Sequence, residues 1–446
     1  MVNTVSVTWS GGKIGEYLFY LFIFFLPWQT RWIVWDPALN GGVWEYGRVS
    51  LYGWDIILIL LLLLSWPGVV GVVKDWQRVV PQLKNQKSEI KMFFSPLVIF
   101  LLLVALGFCS TLWAPSSVLV LYWGLRLLEA GALWLLFRAL QPKLELVWLS
   151  LAASGVVQGL WGSWQFLSQN TFSNKWLGVA EHSLAQPGTS VVLTSAGRWL
   201  RAYGGQVHPN VLGGLLVITS LATVWLYLGR KGSLAKPYQS YLLLAGLVVQ
   251  TAGLFFSFSR GAWLALLLAL AVWWLLHQQH RRALCLPVVV TLATLVFLGY
   301  QFWEPTVGRL FGSGQLEQQS LDDRVGEVGE STTLLHTVWW RGVGLGNYTA
   351  ALYDAQPKLS SYLYQPVHNL FALVLTELGV AGLGLLLWLL WLYVSGPSLR
   401  YDLVFLVPVL TVALLDHYWW TSASMLLLGV VALSLPPPQP PPPPTA

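Results

Sequence analysis

Ionisable side chains are sparse in this 446-residue chain, and three of them have types and settings that could serve one reaction. Arg260 stands in SFSRGAW, residues 257–263, between two apolar runs. Ser259 suits the N-cap of a helix opening near Gly261, so free backbone N–H groups and a positive dipole end accompany the guanidinium. Together they form an anion site. The plainer account is an interfacial arginine reaching for headgroup phosphates, although Gly261 directly after it lets a ligand approach closely. Arg201 lies in RWLRAYGGQVHPN, residues 198–210, which runs straight into another apolar stretch. Pro209 fits the first turn of a helix, so His208 and Asn210 read either as capping residues or as part of a site. His368 opens the run after QPV, and an imidazole titrating near neutrality can act as a general base or simply close a helix end.

The elements that must position these residues are membrane helices. The chain is 56% hydrophobic with a mean hydropathy of +0.61, and only 10% of its residues are charged. Soluble proteins carry about 25% charged residues. About twelve apolar runs approach the roughly 20 residues that span a bilayer core: 14–30, 52–73, 94–113, 118–138, 144–168, 209–229, 238–257, 261–277, 283–303, 368–394, 399–416 and 418–435. Alternate connections are basic, with Lys74, Arg78, Lys84, Lys87 and Lys91 in one, Arg138 and Lys143 in the next, then Arg230, Lys231 and Lys236, then Arg281 and Arg282. The positive-inside rule puts these in the cytoplasm, with both termini. Two long connections, about 169–208 and 304–367, then face out, as do Arg201, Arg260 and His368. The net charge of +6 reflects this bias and not nucleic-acid binding. Residues 1–435 read as one integral-membrane domain, and the proline-rich 436–446 as an extended cytoplasmic tail. Cys109 and Cys285 fall in spans and imply no disulfide framework.

Other features are read structurally. Arg126 and Glu129 share a helix face and form an intramembrane ion pair. GVGLGNY, residues 342–348, lacks a βαβ setting and reads as a tight turn. Glu377 lies nine residues after His368, on the opposite helix face and about 13.5 Å deeper. It therefore does not orient His368, and a carboxylate that deep is protonated, paired or facing a cavity. The long connection 304–367 is expected to be solvated and partly helical, with 331–340 packing back on the membrane. No metal-ligand spacing is visible, and no cofactor is expected.

The order RAYGGQVHPN, SRGAW, GVGLGNY and HNLFALVLTELGVAGL across residues 200–385 of a polytopic chain resembles the O-antigen ligase and polymerase superfamily. The N-terminal half is similar only in its pattern of spans. The resemblance implies an all-α, GT-C-like membrane fold and a metal-independent, inverting glycosyltransferase of the bacterial cytoplasmic (inner) membrane. The donor it implies is an undecaprenyl-diphosphate-linked glycan, and the acceptor a hydroxyl of a lipid core, a glycan or a protein. On this reading Arg201 and Arg260 grip the diphosphate and His368 activates the acceptor. Arg324, Arg341, Ser259, His208, Asn210 and Asn369 are expected around them, while Asp416 and His417 are not included. Ligase, polymerase and protein oligosaccharyltransferase share this constellation. A lipid-linked sugar transporter is the non-enzymatic alternative, and it would spread ionisable residues through the depth of the spans.

Overall fold

A computed structural model describes residues 12–82, 96–230, 237–311, 315–396 and 399–434. The proline-rich tail and Lys84, Lys87, Lys91, Lys231 and Lys236 lie outside these residues. The chain begins with α1 (Gly12–Phe25), followed by short antiparallel strand pairs: β1 (Arg31–Trp35) with β4 (Val49–Tyr52), and β2 (Ala38–Leu39) with β3 (Gly42–Val43). Then come α2 (Gly53–Leu64), α3 (Trp66–Gln82), α4 (Pro96–Cys109), α5 (Ser117–Leu140) and α6 (Leu144–Ser168). The connection after α6 contains the hairpin β5 (Val191–Thr194) and β6 (Gly197–Leu200). It leads to α7 (Pro209–Arg230), α8 (Pro237–Phe256), α9 (Arg260–Leu276) and α10 (Arg281–Gln301). The second long connection holds α11 (Trp303–Phe311), α12 (Gln315–Val338) and α13 (Tyr348–Ala355), and the chain closes with α14 (Leu370–Val394), α15 (Leu399–Leu415), α16 (Tyr418–Thr421) and α17 (Ala423–Ser434).

Every one of the twelve expected runs is helical where it is described, and six or seven of them meet the length and apolarity of a full crossing. Among the described residues, six helices are long and apolar enough to span a membrane alone: α5, α6, α7, α8, α10 with its preceding turn, and α14. A seventh span arises if α2 and the start of α3, bent by 67°, count as one. The remaining apolar helices are shorter than 18 residues. Burial is concentrated on α7, whose apolar window is 94% buried. It packs against α6, α8 and α9, and small residues bring the backbones close. A Cβ on Gly253 of α8 would sit 2.6 Å from the Gly159 backbone of α6, and one on Gly155 would meet Thr219 of α7. Gln250 crosses the same seam, donating to the Ala152 carbonyl at 2.9 Å.

The Arg126 pair is larger than the sequence suggested. Besides Glu129 at 2.6 Å, the guanidinium binds Asp55 at 2.6 and 3.0 Å and the Ser50 carbonyl at 2.6 Å, among the rings of Tyr52, Trp54 and Tyr122. This paired, largely buried cluster fixes α2 against α5.

The glycine turn fastens the second long connection to α14. Helix α12 lies along α14, with Ser331 and Thr376 in contact at 2.6 Å. The chain then reverses through Gly342, Gly344 and Gly346, all at positive φ, and the amides of Val343 and Gly344 donate to the Thr376 and Glu377 carbonyls. Those acceptors lie beside a break in α14 at Gly379, which has φ 67° and ψ −170°. A Cβ there would meet the Trp340 carbonyl at 2.4 Å. Gly379→Ala is expected to destabilise the protein by about 1–3 kcal/mol, through both strain and overpacking. Thermal unfolding in detergent checks this, and an unchanged midpoint would contradict it.

Candidate active site

The turn SFSRGAW connects α8 to α9 and carries backbone strain. Phe258 adopts φ 49°, a left-handed conformation that non-glycine residues seldom take. Its ring is fully buried and its carbonyl accepts a hydrogen bond from Arg309 Nε at 3.0 Å. Arg260 returns the contact by donating from Nη1 to the Arg309 carbonyl at 3.1 Å. Two guanidiniums, one from the start of α9 and one from α11, therefore interlock over one helix N-terminus. Ser259 occupies the N-cap position, but its side chain makes no capping bond.

Arg201 supports this turn from behind. It donates from Nε to the Ser257 carbonyl at 2.7 Å and from Nη2 to Asn210 Oδ1 at 2.8 Å. It is only 4% exposed, whereas Arg260 is part-exposed. The expectation that both arginines grip a ligand alike thus divides, because the loop before α7 folds inward and buries Arg201. Asn210 extends the chain of contacts, donating from Nδ2 to Asp416 Oδ2 at 2.8 Å.

Asp416 belongs to a second cluster, built around His368. Glu327 of α12 accepts from His368 Nδ1 at 2.7 and 2.9 Å and from the His368 backbone N–H at 3.1 Å. A carboxylate only accepts, so Nδ1 carries the proton and a neutral ring presents the lone pair of Nε2. The side chains of His368 and Glu327 are 19% and 12% exposed, which leaves the ring reachable. Burial alone would lower the His368 pKa, but the Glu327 hydrogen bond and the charges of Asp416 and Glu327 outweigh it and hold the value above that of a free imidazole; Arg324 opposes them weakly. The ring of His417 lies 5.2 Å from that of His368, centroid to centroid. His417 Nδ1 is 2.7 Å from Thr421 Oγ1, and Tyr46 from the β3–β4 connection packs edge-on against the His417 ring at 5.8 Å.

The expected residues separate accordingly. His368, Arg201 and Asn210 converge through Asp416. The start of α9, which carries Arg260, packs beside the end of α15: a Cβ on Gly261 would lie 3.4 Å from the side chain of Leu415, the residue before Asp416. Arg324 sits one helical turn before Glu327. Arg341 does not join them, since its guanidinium lies over Trp113 and Trp340 at 5.8 and 5.7 Å, beside the glycine turn. His208 is a cap: Nδ1 accepts from the Asn210 N–H at 3.1 Å and Nε2 faces Ser190 Oγ at 2.8 Å. Asn369 caps α14 by accepting from the Ala372 N–H at 2.9 Å. Glu377 is satisfied by Trp420 Nε1 and the Gly346 N–H, both at 2.9 Å.

Four residues of this arrangement were not expected in it: Glu327, Arg309, Asp416 and His417. Glu327 and Arg309 were indistinguishable from the other charges of a solvated connection. Asp416 and His417, adjacent at the end of an apolar run, were a visible signal that deserved inclusion. The fold also gathers one ligand-type atom each from His368, Asp416 and His417 within 4.8 Å of one another, although no sequence spacing pointed to it.

A family model described as O-Antigen ligase matches residues 245–389. That region holds Arg260, Arg309, Arg324, Glu327 and His368, but not Arg201, Asp416 or His417. No curated protein matches the chain.

Proposed function

We propose that this chain, whose residues 245–389 match the O-antigen ligase family model, transfers a glycan from an undecaprenyl-diphosphate-linked donor to an acceptor hydroxyl at the extracytoplasmic face of the bacterial inner membrane. The observation that carries this reading is the pairing of the Glu327–His368 dyad with the arginine turn, joined through Arg201, Asn210 and Asp416. His368 Nε2 removes the acceptor proton as the hydroxyl oxygen attacks the anomeric carbon, and the resulting imidazolium is held by Glu327. The bond from that carbon to the diphosphate oxygen breaks in the same displacement, which inverts the centre. Negative charge then grows on the diphosphate, where Arg260, Arg309 and the N-terminus of α9 receive it. Arg201, buried behind them, fixes the Ser257 carbonyl and contributes positive charge. Residues 1–435 act as one transferase domain with both termini in the cytoplasm. Guanidiniums supply the charge the departing diphosphate needs, so turnover is expected to continue in EDTA.

The deciding experiment is transfer from a lipid-diphosphate-linked oligosaccharide by purified protein in EDTA, with lipid-core, glycan and protein acceptors offered separately. Turnover that requires Arg260 and His368 supports the reading, and the acceptor consumed separates ligase from polymerase and protein glycosylation. A donor that is never consumed but crosses a liposome bilayer would replace it with transport.

Glu327→Gln gives a test of the dyad. The neutral amide removes the charge that raises His368, so His368 loses its proton at lower pH. Activity requires the neutral ring, and the acid limb of kcat/KM should therefore move to lower pH, with kcat/KM at its plateau reduced by about tenfold or more. An acid limb that stays in place removes Glu327 from the mechanism.

A further inference from the structure

We propose that His368, Asp416 and His417 form a site for a zinc-type divalent transition metal, and that filling it silences transfer. The inhibitory half rests on the reading of His368 as the base, whereas the binding half rests on geometry alone.

The donor set is suitable. Two imidazole nitrogens and one carboxylate oxygen lie within 4.8 Å of one another, from the residue two before α14 and from the junction of α15 and α16. Zinc bonds of about 2.0–2.2 Å place tetrahedral ligand atoms about 3.4 Å apart. The ligand atoms therefore need to close by about 1.5 Å at most.

The surroundings of the ligands are equally apt. Metal-binding histidines characteristically donate their distal N–H to a carboxylate or another oxygen, which orients the ring and raises its basicity. Here Glu327 engages His368 Nδ1 at 2.7 Å, and Thr421 Oγ1 lies 2.7 Å from His417 Nδ1. Both rings can then offer Nε2 to a shared centre. Asp416 is held in place by the Asn210 amide and by the His417 backbone N–H, both at 2.8 Å. The carboxylates of Glu327 and Asp416 offset the charge of a dication. Two imidazoles and one carboxylate favour zinc over magnesium or calcium, which require mostly oxygen. The exposed fraction of His368 gives the ion a way in.

A metal at this centre engages the same lone pair that takes the acceptor proton. Metal and acceptor activation therefore exclude each other, and zinc is expected to inhibit an enzyme that works in EDTA.

The test uses full-length, tag-free protein in detergent, stripped with EDTA and then freed of it. Zn²⁺ is titrated by calorimetry, Co²⁺ by its visible absorption, and Mg²⁺ serves as the control ion. The expectation is one Zn²⁺ or Co²⁺ per chain with a tetrahedral cobalt spectrum, no Mg²⁺ binding, loss of the site in His417→Ala, and affinity weakened about 10–100-fold in Glu327→Gln. Absence of stoichiometric binding overturns the site, as does binding unaffected by both substitutions. If His417→Ala fails to fold, the Glu327→Gln affinity decides. Transfer by the parent should fall as the calorimetric site fills, and undiminished transfer at full occupancy overturns inhibition. Transfer in EDTA that ignores His368 would instead refute the base reading while leaving the metal site intact.

Discussion

Transfer by the His368→Ala protein is expected to fall by about 10²–10⁴-fold when assayed in EDTA, with donor affinity little changed. On the proposed mechanism the ring serves the acceptor and is held by Glu327 of α12, so its removal should lower kcat and leave the donor's KM in place. Two features make a large effect reasonable. Glu327 fixes the tautomer through Nδ1, so nearly every neutral ring presents Nε2. On the proposed mechanism the same carboxylate stabilises the imidazolium formed when the acceptor proton arrives. His368→Gln, similar in size but unable to accept a proton at working pH, should be as inactive as alanine. Single-turnover transfer with bound donor gives the cleanest reading, and near-parental rates in either variant would remove His368 from the chemistry.

The second large effect concerns the leaving group. Arg260→Ala is expected to reduce turnover by about 10²–10³-fold, comparable to removing one preorganised donor from a site of developing charge. Arg260→Lys should recover only part of this, because an ammonium restores charge without the planar two-pronged geometry suited to phosphate oxygens. The buried partner behaves differently. Arg201→Ala leaves Asn210 and the Ser257 carbonyl without the guanidinium that bonds them, so it should lower thermal stability as well as activity. Comparing unfolding midpoints for the two substitutions separates these roles: Arg260→Ala should unfold near the parent and Arg201→Ala below it. Equal midpoints would mean that the two arginines serve the reaction alike.

Much of this arrangement was legible because membrane helices write themselves in long apolar runs. Each of the twelve runs is helical, two of them as a pair of helices, and His208 caps α7 as the following proline suggested. The crossings were less legible than the helices, since the 67° bend between α2 and α3 is a matter of packing. Arg126 and Glu129 were readable as neighbours three residues apart. Asp55, 71 residues away, was not, because nothing local announces a partner brought by tertiary folding. The site divides in the same manner. Arg260 and His368 stood out as ionisable residues at the mouths of apolar runs. Glu327 was hidden among seven acidic residues of the second long connection, all equally suited to water. The burial of Arg201 could not be inferred either, since it depends on a loop folding inward over α7.

The base cluster draws on Tyr46, Glu327, His368, Asp416 and His417, and Asn210 ties Arg201 to it through Asp416. These positions span the chain from its first hairpin to its last pair of helices. A nascent chain released anywhere before residue 417 lacks part of the cluster, however many helices it has already inserted. Competence for the proposed reaction is therefore acquired only after residue 417 has been made, when α15 docks against α9 and carries Asp416 to Asn210. Prematurely terminated copies could occupy the bilayer, but they would have no complete base with which to consume the lipid-linked donor.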